Sequence, residues 1–267
     1  EQLDRMWSIY IAGEFGGMNE IMAELYRISG KKEYIEAAKF FDNTPLFNAC
    51  AAGEDILADM HANQHIPQIT GCLRIYEQTN EKFYYDVAEN FWDMVVNHRQ
   101  YCNGGTGEKE RFKGRDEIAK HLEGYEAETC ATYNMLKLTR NLFFHAPDAK
   151  YMDYYERGLY NGILPSLLTV RSGNNVTYFT PLAPGSRKEF GNGYTCCAGT
   201  GMENHTKYQD SIYFRTRDNS ALYVNLYIPS VLNWEEKGFK MRLETNWPSQ
   251  QSSKFIIEKG GRLDINF

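Results

Sequence analysis

Three segments of the sequence share one pattern, and this repeat constrains the fold more than any other feature. They are L-Y-R-I-S-G-K-K-E-Y from Leu25, I-Y-E-Q-T-N-E-K-F-Y from Ile75 and L-F-F-H-A-P-D-A-K-Y from Leu142. Each copy has an aromatic residue in its second position, turn-forming residues in its middle and a tyrosine eight residues after the aromatic. This order is typical of a helix that ends, a short polar turn and a second helix that begins. Repeated helical hairpins predict an α/α toroid or a solenoid.

The composition fits a large globular fold. Of the 267 residues, 42% are hydrophobic and 14% are aromatic, which is enough for a sizeable core in one large domain or two unequal ones. The net charge is −6 and the basic residues are scattered, so we expect no nucleic-acid partner. No apolar run approaches the roughly 20 residues that a membrane-spanning helix needs, and we expect no membrane span.

The pattern of the sequence changes near residue 210. From Ser211 onward, S-I-Y-F-R-T-R, A-L-Y-V-N-L-Y-I and F-K-M-R-L-E-T alternate apolar and polar residues and are separated by short turn-forming stretches. Such alternation predicts antiparallel strands. We therefore predict a mainly α domain over residues 1–210 and the beginning of a β domain over residues 211–267. The first residues enter a helical pattern without a start signal and the last resemble a strand without its partner, so we expect a piece of a longer protein.

Two adjacent cysteines, Cys196 and Cys197, lie in the stretch Y-T-C-C-A-G-T-G-M-E-N-H-T-K-Y, which we interpret as a loop. Glu128 and Cys130 lie where a helix is predicted to begin, with Thr129 as its cap. Together these residues offer three thiolates and one carboxylate, a mixture that zinc accepts. Their spacing is not a standard zinc spacing, and it fits unconnected buried cysteines equally.

Several longer motifs resemble one family. They are G-G-T-G-E-K-E-R-F (104–112), D-E-I-A-K-H-L (116–122), A-E-T-C-A-T-Y-N-M-L-K-L-T-R (127–140) and C-C-A-G-T-G-M-E-N-H-T-K-Y (196–208), supported by H-A-N-Q-H-I-P (61–67) and Y-Y-E-R-G-L-Y-N-G-I-L (154–164). In this order they resemble the zinc-dependent cysteine glycosidases, the β-L-arabinofuranosidases of glycoside hydrolase families 127 and 146, and family 146 more closely. The resemblance implies an (α/α)6 toroid as the catalytic domain, followed by the start of an antiparallel β-sandwich domain. We expect the toroid to be truncated at its N-terminus in this chain.

The resemblance also implies roles for individual residues. Cys196 would be the nucleophile, and a zinc ion would be bound by Glu128, Cys130, Cys196 and Cys197. The general acid/base would be Glu110, although Arg111 replaces an aromatic residue of the family pattern and leaves Glu108 as a rival. His61 and Glu156 match residues that hold the sugar.

Two further histidines have open interpretations. His65 is close enough to His61 to share a cleft, but one helical turn of separation also fits a structural pair. For His205, near Glu203, two interpretations stay open: it lines the site, or it caps the local backbone.

The resulting hypothesis is a retaining glycoside hydrolase that releases L-arabinofuranose from plant-derived oligosaccharides or polysaccharides, with a zinc-bound cysteine nucleophile and a glutamate acid/base. Two alternatives stay open. One is a toroid glycosidase or lyase that uses only carboxylates, with structural cysteines. The other is a carbohydrate-binding protein with a purely structural zinc site.

Overall fold

The computed structural model describes residue 5 and residues 16–170, 173–191, 193, 195–247, 249–260 and 263–267. The chain divides into two compact units, Glu1–His205 and Thr206–Phe267. Each unit is described by itself below. The domain boundary at residue 210 stays a prediction. No helix among these residues is long and apolar enough to cross a membrane.

The first unit is mainly helical. Its α-helices within the described residues are α1 (Met18–Ser29), α2 (Lys32–Phe40), α3 (Thr44–Ala51), α4 (Ala62–Thr79), α5 (Lys82–Val96), α6 (Thr129–His145), α7 (Ala149–Gly158) and α8 (Cys196–Asn204). A π-helical turn, Leu159–Ile163, follows α7, and short 3-10 turns cover Ile118–Lys120 and Leu164–Ser166. The three predicted helical hairpins are confirmed as the pairs α1 and α2, α4 and α5, and α6 and α7.

The first two hairpins turn in the same way. Gly30 and Asn80, which follow α1 and α4, have left-handed φ angles of 69° and 58°. Their N–H groups donate to the carbonyls of Tyr26 and Tyr76, the aromatic residues in the second position of the repeat. Glycine and asparagine are the residues that most readily adopt this conformation, so the repeat encodes the turn directly.

The third hairpin turns differently. Ala146 donates its N–H to the carbonyl of Leu142, and the side chain of Asp148 accepts from the N–H of Lys150 at the start of α7.

The hairpins pack around aromatic side chains. Trp92 of α5 donates its indole N–H to Thr139 of α6 at 2.7 Å. This buried contact fixes the second hairpin against the third.

Two features of the first unit differ from the prediction. Strands β1 (Leu167–Val170) and β2 (Gly173–Val176) form an unpredicted antiparallel hairpin. The cysteine doublet, predicted in a loop, begins helix α8. Glycine disfavours helices by about 1 kcal/mol relative to alanine, so Gly199 and Gly201 hide the helix in the sequence. Gly201 is required by packing, because a Cβ there would lie 2.5 Å from a methyl carbon of Val176.

The described residues of the second unit form two three-stranded sheets. One has the order β3 (Tyr213–Arg215), β4 (Ala221–Val224), β8 (Asp264–Asn266), and the other has the order β5 (Ser230–Trp234), β6 (Phe239–Thr245), β7 (Ser253–Lys259). Leu222 and Val224 of the first sheet share one buried cluster with Trp234, Phe239 and Met241 of the second. Two sheets around one apolar layer are the arrangement of a β-sandwich.

The predicted antiparallel pairing is correct for β3 to β7, whereas the last strand, expected to lack its partner, has one. Strand β8 pairs with β4 in parallel, with Leu222 opposite Ile265. β8 follows β7 of the other sheet, so no tight turn connects it to β4 and imposes the antiparallel direction.

Candidate active site

A tight turn presents the first acidic residue of the site. Glu108 and Arg111 exchange backbone hydrogen bonds of 2.9 and 3.1 Å, and the two residues between them, Lys109 and Glu110, have φ angles of 48° and 66°. Positive φ at both central positions defines a type I′ hairpin turn, which normally contains Asn-Gly. A residue other than glycine in this conformation costs about 1 kcal/mol or more, so the surrounding structure must hold the turn.

Neighbouring backbone holds this turn on both sides. The carbonyl of Glu110 accepts from the N–H of Ala62 at 2.8 Å, and the N–H of Lys109 donates to the carbonyl of Tyr125 at 3.0 Å. The ammonium group of Lys109 also forms an ion pair with Glu123. The position of Glu110 is therefore fixed from α4 on one side and from the segment before α6 on the other.

The segment before α6 leads directly to Glu128. Residues 126–129 lie antiparallel to residues 177–180, with Thr129 N–H donating to the carbonyl of Tyr178 at 2.9 Å. Glu128 is the N-cap residue of α6. Thr129, predicted to be the cap, is instead the first helical residue, and its hydroxyl donates to the carbonyl of Thr177.

Four of the predicted residues form a cluster. The ligand atoms of Glu128, Cys130, Cys196 and Cys197 all lie within 4.8 Å of one another. Each thiol of the doublet lies 3.9 Å from Oε1 of Glu128. The cluster forms because the first turns of α6 and α8 meet, and the positive ends of two helices favour anionic sulfur and carboxylate groups. Cys196 is exposed, whereas the other two thiols are buried.

The cluster has the properties of a metal site. Burial raises the pKa of the Glu128 carboxyl well above its usual range. Among the described residues, Oε2 of Glu128 is buried and has no hydrogen-bond partner. Hydrogen bonds from the thiols of Cys130 and Cys197 lower the pKa of Cys196. Three sulfurs and one oxygen are a donor set that could hold a metal ion, which would also satisfy the buried carboxylate oxygen.

Tyr178 connects this cluster to Glu110. Its hydroxyl donates a hydrogen bond to Oε1 of Glu110, and the same hydroxyl oxygen lies 3.5 Å from Sγ of Cys196. Burial, together with the hydrogen bond to Glu110, raises the pKa of Tyr178, which keeps the hydroxyl protonated. The sequence reasoning missed this residue, because no motif spacing marks it and only the fold brings it to Glu110.

His61 approaches the other oxygen of the same carboxylate. Nε2 of His61 lies 3.6 Å from Oε2 of Glu110. Nδ1 of His61 accepts from the N–H of Gln64 at 3.3 Å, so in the neutral ring Nε2 carries the proton and points it toward Glu110. Tyr178 therefore contacts one oxygen of the carboxylate, and His61 lies beside the other.

Glu108, the rival of Glu110, lies in a different environment. Its side chain is 2% exposed and forms ion pairs with Lys113 at 2.8 Å and with Lys109 at 3.3 Å. Burial and these two ion pairs leave the carboxylate of Glu108 little access to a substrate.

The other predicted site residues lie outside the cluster. Nδ1 of His65 contacts the carbonyl of His61 at 2.7 Å, and burial lowers the pKa of this histidine. His205 follows the last residue of α8, and burial lowers its pKa as well. Burial raises the pKa of Glu156, whose charged neighbour Asp153 lies on the same helix, α7. The substrate-binding roles of these residues and of His61 stay predictions.

Comparison with known proteins identifies the family. The sequence model of the GH127 catalytic domain, described as beta-L-arabinofuranosidase, matches residues 1–210. The chain belongs to this family. The model of the GH127 middle domain matches residues 221–267 of the same GH127 chain. The closer resemblance to family 146 is not confirmed.

Solved structures show the GH127 fold. The GH127 beta-arabinofuranosidase BT3674 superposes with a TM-score of 0.72 at 24% identity, over 91% of this chain and 40% of that one. The GH127 beta-L-arabinofuranosidase Ara127N from Geobacillus stearothermophilus T6 superposes with a TM-score of 0.69 at 20% identity, over 89% of this chain and 44% of that one. A third structure, a glycoside hydrolase, superposes with a TM-score of 0.67 at 19% identity, over 95% of this chain and 46% of that one. The chain thus spans less than half the length of each. No curated protein sequence matches it significantly.

Proposed function

We propose that this GH127 chain carries the catalytic centre of a retaining glycoside hydrolase that releases L-arabinofuranose from plant-derived glycans. The observation that carries the proposal is the hydroxyl of Tyr178, which contacts Glu110 on one side and lies 3.5 Å from the sulfur of Cys196 on the other. A retaining glycosidase needs a nucleophile and an acid/base close together, normally two carboxyl groups about 5 to 5.5 Å apart. Here a cysteine takes the place of one carboxylate.

The helical hairpins of the first unit would contribute to an (α/α)6 toroid around this centre, and the second unit would begin its β-sandwich domain. The match of the catalytic-domain model over residues 1–210 supports this architecture.

The cluster of Glu128, Cys130, Cys196 and Cys197 would hold a zinc ion. When bound, zinc would keep the cysteine side chains deprotonated at neutral pH, where a free cysteine with a pKa near about 8.5 is mostly protonated. The buried and otherwise unsatisfied Oε2 of Glu128 supports a cation at this position. Cys130 and Cys197 would serve as ligands alone, because both are buried.

Cys196 would be the nucleophile, because it is the exposed sulfur of the cluster. Its thiolate would attack the anomeric carbon of the arabinofuranose, forming a C–S bond as the glycosidic C–O bond breaks. Glu110 would donate its proton to the leaving oxygen. In the second step Glu110 would take a proton from water, the water oxygen would attack the anomeric carbon, and the C–S bond would break to return the thiolate.

Tyr178 would hold the carboxyl group of Glu110 in place through Oε1, and Oε2, beside His61, would carry the proton that is transferred. His61, Glu156, His65 and His205 would contact the sugar. The burial of Glu108 and its ion pair with Lys113 support Glu110 as the acid/base in its place.

The two alternatives have weaker support. In a carboxylate-only enzyme a second carboxylate would have to reach the sugar beside Glu110, but Glu128, the carboxylate of the cluster, is 1% exposed. A purely structural metal site would not need an exposed sulfur beside Tyr178 and Glu110.

The direct test is hydrolysis of an aryl β-L-arabinofuranoside by the purified chain, followed by NMR spectroscopy. We expect β-L-arabinofuranose as the first product. A first product of the α configuration would contradict retention of configuration. No release of arabinose would contradict the proposed hydrolase activity.

A further inference from the structure

A large aromatic side chain lies exposed beside the turn that carries Glu110. Tyr125 is 51% exposed, and its carbonyl accepts the hydrogen bond from Lys109 that helps to hold the turn. The ammonium group of Lys109 lies 5.8 Å from the centre of the Tyr125 ring. Tyr125 is therefore next to the proposed acid/base, although it belongs to neither the cluster nor the carboxylate contacts described above.

The ring of Tyr125 belongs to a row of three aromatic side chains. It meets Phe179 edge to face, with ring centres 5.8 Å apart and an angle of 87°. Phe179 in turn packs on Tyr178, with ring centres 4.7 Å apart. Because Tyr178 contacts Glu110, this row leads from the exposed ring to the acid/base.

The backbone beneath Tyr125 is held firmly. The next residue, Glu126, is fully buried. Its two carboxylate oxygens accept from the N–H groups of Gly124 and Leu182, both at 2.7 Å. An exposed aromatic ring on a fixed backbone loses little conformational entropy when a ligand packs on it.

We propose that Tyr125, supported by Phe179, is the binding platform for the sugar on the leaving-group side of the scissile bond. This inference rests on the proposed function. The acid/base must lie at the glycosidic oxygen, so the leaving-group sugar extends from Glu110 away from Cys196. A sugar ring has an apolar C–H face, and aromatic rings commonly line the pockets that bind such faces. The ligand class is therefore a glycan whose terminal arabinofuranose is linked to a second sugar ring.

The test compares two substrates that share the arabinofuranose and differ in the leaving group. One is methyl β-L-arabinofuranoside, which has no second ring, and the other is a disaccharide in which β-L-arabinofuranose is linked to a second sugar. Tyr125→Ala and Tyr125→Trp are measured beside the wild type. Phe40→Ala is the matched control, because Phe40 is an aromatic residue that is 67% exposed at the end of α2.

We expect Tyr125→Ala to lower kcat/KM for the disaccharide about fivefold to tenfold, the size of one aromatic contact, and to change the methyl glycoside less than twofold. Tyr125→Trp should retain at least half of the wild-type value on the disaccharide, and Phe40→Ala should match the wild type on both substrates. Equal losses on both substrates, or no loss on the disaccharide, would overturn the platform while leaving the proposed function intact. Release of arabinose from neither substrate by the wild type would instead contradict the proposed function.

Discussion

Tyr178 donates a hydrogen bond to the carboxylate of Glu110, although 68 residues separate the two in the sequence. The hydroxyl that makes this bond also faces Sγ of Cys196. A single phenol thus links the proposed nucleophile to the proposed acid/base.

Removal of this hydroxyl should impair catalysis without disturbing the fold. A hydrogen bond to a charged group contributes about 1.5 to 3 kcal/mol, so Tyr178→Phe should lower kcat/KM on an aryl β-L-arabinofuranoside roughly 10-fold to 100-fold. Tyr213→Phe is the matched control, because it removes a hydroxyl that contacts Ser230 in the second unit. Activity of Tyr178→Phe within twofold of the wild type would show that the contact with Glu110 is unimportant.

Glu110 and Glu108 should differ in their response to the leaving group. An aryl leaving group needs little protonation, so Glu110→Gln should keep its first step far better on that substrate than on a natural glycan. Glu108→Gln should lower stability, because it leaves Lys113 without its buried partner, and should affect both substrates equally. The measurement is single-turnover kinetics on the two substrates. If Glu108→Gln shows the substrate-dependent loss and Glu110→Gln affects both substrates equally, the assignment of Glu110 as the acid/base is wrong.

Loss of one buried sulfur should release the metal. We expect one zinc ion per wild-type chain by elemental analysis and a much lower content in Cys130→Ser, since the hydroxyl is a weaker zinc ligand than thiolate. Cys72→Ser provides the control, because Cys72 is buried outside the cluster. A wild-type metal content in Cys130→Ser would count against the site.

The backbone conformation of the turn gives a further prediction. Lys109→Asn and Lys109→Val both remove the ion pair with Glu123, but asparagine tolerates the left-handed φ of 48° and valine does not. The valine variant should therefore unfold at a lower urea concentration than the asparagine variant and lose more activity, because Glu110 is displaced. Equal urea midpoints and equal activities would mean that the turn does not depend on this conformation.

The hairpin turns could be predicted from the sequence because single residues determine them. Gly30 and Asn80 both adopt the left-handed conformation that ends their helices, and each is visible as a turn signal. The helix that begins at Cys196 could not be predicted, because its two glycines weaken the helical pattern and the packing that requires Gly201, against Val176, is visible only in the structure.

The sequence was enough to predict the residues of the cysteine cluster, but not the contact that links this cluster to Glu110. The motif resemblance supplied Glu128, Cys130, Cys196 and Cys197, and the fold brings these four together. Tyr178 could not be found in this way. Its contact with Glu110 depends on a type I′ turn made from residues that rarely form one and on a backbone pairing between distant segments.

The identity of the nucleophile can be tested by covalent labelling. An L-arabinofuranosyl electrophile should react with the wild-type chain, and fragmentation of the labelled peptide by mass spectrometry should locate the sugar. The exposed sulfur predicts a label on Cys196, with none in Cys196→Ser and partial labelling in Cys197→Ser when zinc is in excess. A label on Cys197, or on a carboxylate such as Glu203 or Glu128, would contradict the mechanism even if arabinose is released.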